Sequence, residues 1–253
     1  MKNFVTKLAK QAGSEIIKHF NRDKIVKTKS KSQIVTQADL ISNKIIITGL
    51  KKKFPTHSIL TEEDGSTDNR SPYCWVIDPL DGTTNYFIGS PIFAVSIALF
   101  FGHQPILAVI YAPAMNELYT AEKNQGAYLN GKKIKVSQVK NINHAFLTYC
   151  HGSSQKDIKR AIKIYNKIKL KSLDSRQLGA ASLELGFVAA GRTECIMIPG
   201  ANSWDVGAGV LLVKEAGGMA TDFSGQNWNL QTKDIVASNG KIHQPLIKFL
   251  KNI

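Results

Sequence analysis

Apolar residues recur at helical spacing near the start of the chain. Phe4, Val5, Leu8, Ala12, Ile16, Ile17 and Phe20 share one face, which predicts a helix over residues 4–20. The stretch KSKSQIVTQ (29–37) is largely polar and reads as a mobile loop. A second helix is expected over Gln37 to Lys53, with Leu40, Ile41, Ile45, Ile46 and Leu50 apolar and Pro55 closing it. HSIL (57–60) reads as a short strand before the acidic TEEDG. From Trp75 to Val136 the pattern becomes strand-rich: WVID, FAVSIALF, ILAVIYA and ELYTAEK, then Asn130-Gly131 as a hairpin turn. The second half alternates. HAFLTYC, ECIMI, GMATD and DIVAS read as strands, and KDIKRAIKIYNKI, AASLELGFVAAG, DVGAGVLLVKEAG and HQPLIKFLKN as helices. Such an order predicts helices and sheets stacked in layers, of α/β or α+β class.

Composition narrows this only a little. A chain of 253 residues, 43% hydrophobic and 21% charged, buries a large core, as one domain (1–253) built of two packed halves, roughly 1–140 and 141–253. Apolar runs such as FAVSIALFF (93–101) are too short to span a bilayer. The first twenty residues lack a signal peptide's continuous apolar region, so a cytoplasmic protein is expected. Cys74, Cys150 and Cys195 are too sparse for a disulfide framework and have no metal-ligand spacing; each reads as a small buried hydrophobe. The six histidines form no ligand pair and read as surface or structural residues. A formal charge of +14 would attract anionic substrates or nucleic acid, but the lysines are scattered and not interleaved with aromatics.

Chemistry concentrates in the acidic residues. WVIDPLDGTTNYF (75–87) ends an apolar strand with Asp78 and Asp81, shaped by Pro79 and Gly82. Two carboxylates at one strand end suit a hard divalent cation, Mg²⁺ first, while an Asp-Pro, Asp-Gly turn bonded to its own backbone explains the same residues. Gly82-Thr83-Thr84-Asn85 can open a helix whose N–H groups face a phosphate, or Thr83 or Thr84 can simply cap it. Glu62 and Glu63 follow another apolar run, and Asp205 heads a glycine-rich helix. Asp39 starts the second helix. Helix capping explains both Asp39 and Asp205 equally simply.

Asp39 with Ser42, Glu62-Glu63, DPLDGTTN (78–85), GAA (179–181), WD (204–205) and EAGG (215–218) run in order along almost the whole chain. Together they resemble the inositol monophosphatase family of Mg²⁺-dependent, lithium-sensitive phosphatases. DPLDGTTN with the distant WD is the specific part. The resemblance implies a layered αβαβα sandwich of the inositol monophosphatase and fructose-1,6-bisphosphatase type, and a homodimer. It also implies two to three Mg²⁺ ions. Glu62, Asp78 and the Leu80 carbonyl would hold one and Asp78, Asp81 and Asp205 a second, with Glu62 placing a third through water. Asp81, Gly82, Thr83, Thr84 and the segment Gly179-Ala180-Ala181 would border substrate and phosphate. Asp39 and Thr83, with Glu62 beside them, would serve the attacking water.

The expected activity is hydrolysis of inositol monophosphate or a related small polyol or sugar phosphate, by direct in-line attack of water. Alternatives are a sugar-bisphosphate or nucleotide 3′-phosphate phosphatase of the same superfamily, or a regulatory role binding RNA or the transcription machinery on this fold. Three positions depart from the family pattern. The acid that usually precedes Trp-Asp is missing from IMIPGANSWD, with Asn202 or Ser203 as weak substitutes. Asn43 stands where many members carry an acid, a change expected to be structural, and Gly207 replaces a common alanine. Thr84-Asn85 favours the inositol branch over the nucleotide branch, and the missing acid leaves the substrate open.

Overall fold

The computed structural model describes residues 1–22, 25–30 and 33–251. Helix α1 (Lys2–His19) buries Val5, Leu8, Ala9, Ala12 and Ile16 as its spacing predicts, although Ile17 turns outward. The stretch expected to be a loop is instead the end of a two-stranded antiparallel ribbon, β1 (Ile25–Ser30) with β2 (Gln33–Thr36); Lys31 and Ser32 of that stretch lie outside the described residues. Alternation is too weak there to signal strands, and pairing across the ribbon supplies what the sequence pattern lacks. Helix α2 spans Gln37–Lys53, the predicted bounds.

Eight strands then build one sheet: β3 (Ser58–Thr61), β4 (Gly65–Thr67), β5 (Tyr73–Asp81), β6 (Ala94–Phe101), β7 (Gln104–Ala112), β8 (Glu117–Glu122), β9 (Gly126–Leu129) and β10 (Lys132–Ile134). Their order is β10-β9-β8-β7-β6-β5-β3-β4, antiparallel except that β3 and β5 run parallel. A short helix, α3 (Thr83–Phe87), follows β5 directly.

The second half supplies β11 (Phe146–Tyr149), α4 (Gln155–Lys169), β12 (Asp174–Arg176), α5 (Ala181–Ala189), β13 (Cys195–Ile198), α6 (Ser203–Glu215), β14 (Met219–Thr221), β15 (Ile235–Ser238) and α7 (His243–Leu250). Its five strands form a mixed sheet ordered β12-β11-β13-β15-β14. The three-residue strands β4 and β12 carry too few residues for a periodic signal, and sequence pattern missed both.

Packing puts these elements in five layers. Helices α1 and α2 cover one face of the large sheet, and α5 and α6 lie between its other face and the small sheet. Helices α4 and α7 cover the outer face of the small sheet. This is the αβαβα sandwich. Three apolar clusters fill the interfaces, the largest around α5 and α6. Those two helices are apolar on every side because both of their faces meet sheets. They approach closely at Gly209, where a Cβ would stand 2.3 Å from that of Leu185. No helix among the described residues is long and apolar enough to cross a membrane.

Candidate active site

Parallel strands β3 and β5 end side by side, and the N-termini of α3, α5 and α6 face that edge. A cleft of about 450 Å³ opens there, bordered by Glu62 after β3, by Asp78, Leu80 and Asp81 of β5, and by Asp205 of α6. Residues three apart on a regular strand point to opposite faces. Here Asp78 pairs with Ser96 and Asp81 with Ala94, so three steps on β5 match two on β6. That bulge at Pro79-Leu80 lets both carboxylates border one cleft. Gly82 follows at φ 85°, with Ile92 O 2.8 Å from where a Cβ would sit, so only glycine fits the reversal.

Asp39 and Asp205 each serve a capping box with one oxygen and leave the other outside it. Asp39 Oδ2 accepts from Thr36 N (2.7 Å) and Thr36 Oγ1 (2.6 Å), closing the capping box of α2. Its Oδ1 accepts from Thr83 Oγ1 at 2.9 Å. Asp39 is itself buried and reaches the cleft only through Thr83, whose Oγ1 also lies 2.9 Å from Leu80 O. Asp205 Oδ2 accepts from Asn202 N (3.0 Å) and Nδ2 (3.2 Å), which leaves Oδ1 outside that box.

Asp81 is gripped by α5. Its Oδ1 accepts from Ala181 N (3.1 Å), and its Oδ2 from Ser182 N (2.8 Å) and Ser182 Oγ (2.6 Å). The N–H of Ala181, a residue expected to border substrate and phosphate, is thus turned to Asp81. Gly179 and Ala181 border the cleft, while Ala180 is fully buried behind it. Gly82, Thr83 and Thr84 line the cleft at the start of α3. Asn85 ties the walls together, donating from Nδ2 to Ile92 O (2.9 Å) and Leu178 O (2.6 Å).

Several supporting residues carry no sequence signal. Ser182 is one. Glu184 is another: fully buried on α5, its Oε1 accepts from Gly179 N (3.0 Å) and from the Cys150 thiol (2.9 Å). Cys150 therefore does more than fill space, and it borders the cleft, as do His151 and Gln177. Cys195 is buried as expected and Cys74 is only half-buried. Among the histidines, His243 is structural, bonded to Thr221 Oγ1 (2.9 Å) and Ser238 Oγ (2.8 Å). Asn43 is structural as expected, donating to Asp64 (2.8 Å) and accepting from Thr61 (2.8 Å). Ser42 Oγ donates to Pro79 O at 2.7 Å, pinning α2 to the bulge.

The carboxyls raise one another's pKa. Burial, then the charges of Glu62, Asp81 and Asp205, push Asp78 well above the usual carboxylate range. Burial, Glu62 and Asp81 push Asp205 up to about 8. Burial pushes Asp81 to about 6 against the opposing bonds from α5, and Asp39 to about 6 against those from Thr36 and Thr83. Burial likewise carries Glu184 to about 7. Among the described residues that border the cleft there is no lysine or arginine to offset this charge.

Hard oxygen donors gathered at one strand end fit a divalent cation of the Mg²⁺ kind. As the side chains stand, no group of three or more among the described residues is arranged to hold a metal ion. Asp78 Oδ1 is turned to Leu80 N (3.0 Å), and Asp81 and Asp205 are held as described. The donor type fits such a cation. A larger groove of about 600 Å³ along α4 holds the Arg160–Asp234 pair, so its acids Asp157 and Asp234 are partnered by arginine.

The fold and this cleft define a layered α/β protein with an acidic cleft at the ends of two parallel strands. A family profile described as the inositol monophosphatase family matches residues 1–253. The chain belongs to that family. Among its relatives, the fructose-1,6-bisphosphatase/inositol-1-monophosphatase of Thermotoga maritima is 35% identical over 252 residues, covering 99% of this chain and 96% of the relative. Nus factor SuhB of Escherichia coli K12 is 36% identical over 256 residues, covering 100% and 96%. Among solved structures, the extragenic suppressor protein suhB of Bartonella henselae superposes with a TM-score of 0.92 at 33% identity, covering 98% of this chain and 97% of that one.

Proposed function

We propose that the protein is a Mg²⁺-dependent phosphomonoesterase acting on inositol monophosphate or a related small polyol or sugar phosphate. One observation carries this reading: Glu62, Asp78, Asp81 and Asp205 border a single cleft. Divalent cations bound there would offset the repulsion between these acids and a phosphate. Glu62, Asp78, Asp81, Asp205 and the Leu80 carbonyl would hold them. Bound there, Mg²⁺ supplies charge neutralisation for the phosphate and leaving oxygen and acidifies water.

The chain's own residues do the rest. Thr83 Oγ1, held on Asp39 Oδ1, is placed to take a proton from the attacking water while its own proton passes to Asp39. Burial lifts Asp39 to about 6, which makes it a better base than an ordinary aspartate. The water oxygen bonds to phosphorus, the bond to the alcohol oxygen breaks, and that oxygen leaves as the alcohol after taking up a proton. The open start of α3 at Gly82-Thr83 is the backbone face that receives the phosphate.

A panel of inositol 1-phosphate, fructose 1,6-bisphosphate and adenosine 3′,5′-bisphosphate, assayed for phosphate release with Mg²⁺ or EDTA, tests the reading. Release is expected with Mg²⁺ only, and Asp81→Asn should abolish it. Activity unchanged by EDTA or by Asp81→Asn would overturn the mechanism. The +14 charge and relatives named Nus factor SuhB support a second role, binding RNA or the transcription machinery. Salt-sensitive RNA binding is its expected signature.

A further inference from the structure

The stretch where an acid is expected does not border the cleft at all. Glu194 is buried, its Oε2 accepting from Phe146 N at 2.6 Å, and Ile198 and Ala201 are also buried. Gly200 faces α4 instead: its N–H donates to Asp234 Oδ1 (3.1 Å), and a Cβ there would run into Asp157. Asn202 is engaged with Asp205. A leaving alcohol must therefore find its polar contacts on another wall.

That wall carries His151 and Gln177, outside the carboxylate set. His151 sits on a fixed backbone. On one side Cys150 N donates to Met197 O (3.1 Å), and on the other Gly152 N donates to Pro199 O (2.9 Å). Gly152 is packed so tightly that a Cβ would stand 2.3 Å from Gly200 O. The imidazole is fixed as well, with Nδ1 2.9 Å from Gly152 O. A carbonyl oxygen only accepts, so Nδ1 carries the proton in this contact, and in that tautomer Nε2 is an acceptor. Accepting a hydroxyl proton is the task that a carboxylate would perform in the missing position.

We infer that His151, which borders the cleft, is a specificity-determining residue whose Nε2 accepts a hydrogen bond from a hydroxyl of the leaving alcohol. The inference rests on the phosphatase reading above and deepens it. It selects polyol and sugar phosphates over phosphate esters of alcohols that carry no further hydroxyl.

Two substrates with the same phosphate separate the claims: inositol 1-phosphate, rich in hydroxyls, and phenyl phosphate, which has none. With Mg²⁺, His151→Ala should lose about 3- to 10-fold in kcat/KM on inositol 1-phosphate, mainly through KM, the worth of one neutral hydrogen bond. Its kcat/KM on phenyl phosphate should not change. His151→Gln, which keeps an acceptor, should recover part of the loss. Calorimetric titration with inositol 1-phosphate should show the same weakening in Kd without turnover. Equal effects on both substrates, or none, would overturn the role of His151 while leaving the phosphatase reading standing. Failure of the unaltered protein to bind or hydrolyse either substrate would bring down both.

Discussion

Single side chains here serve the fold and the site together, through separate atoms. Asp39 closes a capping box with one oxygen and receives Thr83 with the other. Capping and contact with a cleft-lining side chain therefore coexist in this residue. Ser182 shows how much the site depends on residues without a motif, since its hydroxyl and N–H both hold Asp81 Oδ2. Ser182→Ala removes the hydroxyl and leaves the N–H. Partners that orient ligands typically matter at the level of 10–100-fold, so a loss of about that size in Mg²⁺ affinity or phosphate release is expected. Titrating activity against Mg²⁺ measures it. An unchanged curve would mean that the backbone donors suffice.

Elements are placed by close approach as much as by periodicity. Helices α5 and α6 bring Ala181, Ser182 and Asp205 to the cleft, and the contact at Gly209 sets how near they lie. Gly209→Ala forces Leu185 and the helix axes apart, at a cost of about 1–3 kcal/mol. Urea unfolding should show a lower midpoint with an unchanged m-value. Gly207 is similarly constrained. A Cβ there would stand 3.2 Å from the Phe100 ring, so this glycine in place of a common alanine matches a bulky neighbour on β6. Helix α2 and strand β5 are coupled by Ser42 Oγ on Pro79 O, which joins Asp39 to the bulge bearing Asp78 and Asp81.

Over the whole molecule, the buried acids make stability depend on pH. Asp39 and Asp81 are raised to about 6, Glu184 to about 7 and Asp205 to about 8, while Asp78 is raised as well. Each keeps its proton to higher pH in the folded chain than in the unfolded one. Unfolding then releases protons, and metal-free stability falls as pH rises from about 4 to about 8. At roughly 2–4 °C per kcal/mol for a chain of this size, the fall is readily seen in Tm. Thermal melts in EDTA should show it, and Mg²⁺ should flatten it by binding the ionised carboxylates. A Tm in EDTA that rises over this range would contradict the raised values.

Much of this architecture is legible in the chain itself. Period and punctuation locate α1, α2 and the long strands of the large sheet, because each buries one regular face and the side chains must repeat with it. DPLDGTTN, Glu62, Asp39 and Trp204-Asp205 mark the cleft because few structural needs put so many acids beside glycine and threonine. Strands β1, β2, β4 and β12 escape that reading, since their existence depends on partners rather than on their own pattern. Only the folded molecule shows that the β5 bulge turns Asp78 and Asp81 to one side, that Ser182 and Glu184 brace the floor, and that His151 takes a wall from which residues 194–204 are turned away. Those facts join residues far apart in sequence, and no local pattern records such a meeting. The chain by itself determined the layers and the acids; tertiary packing decided which atoms face the cleft.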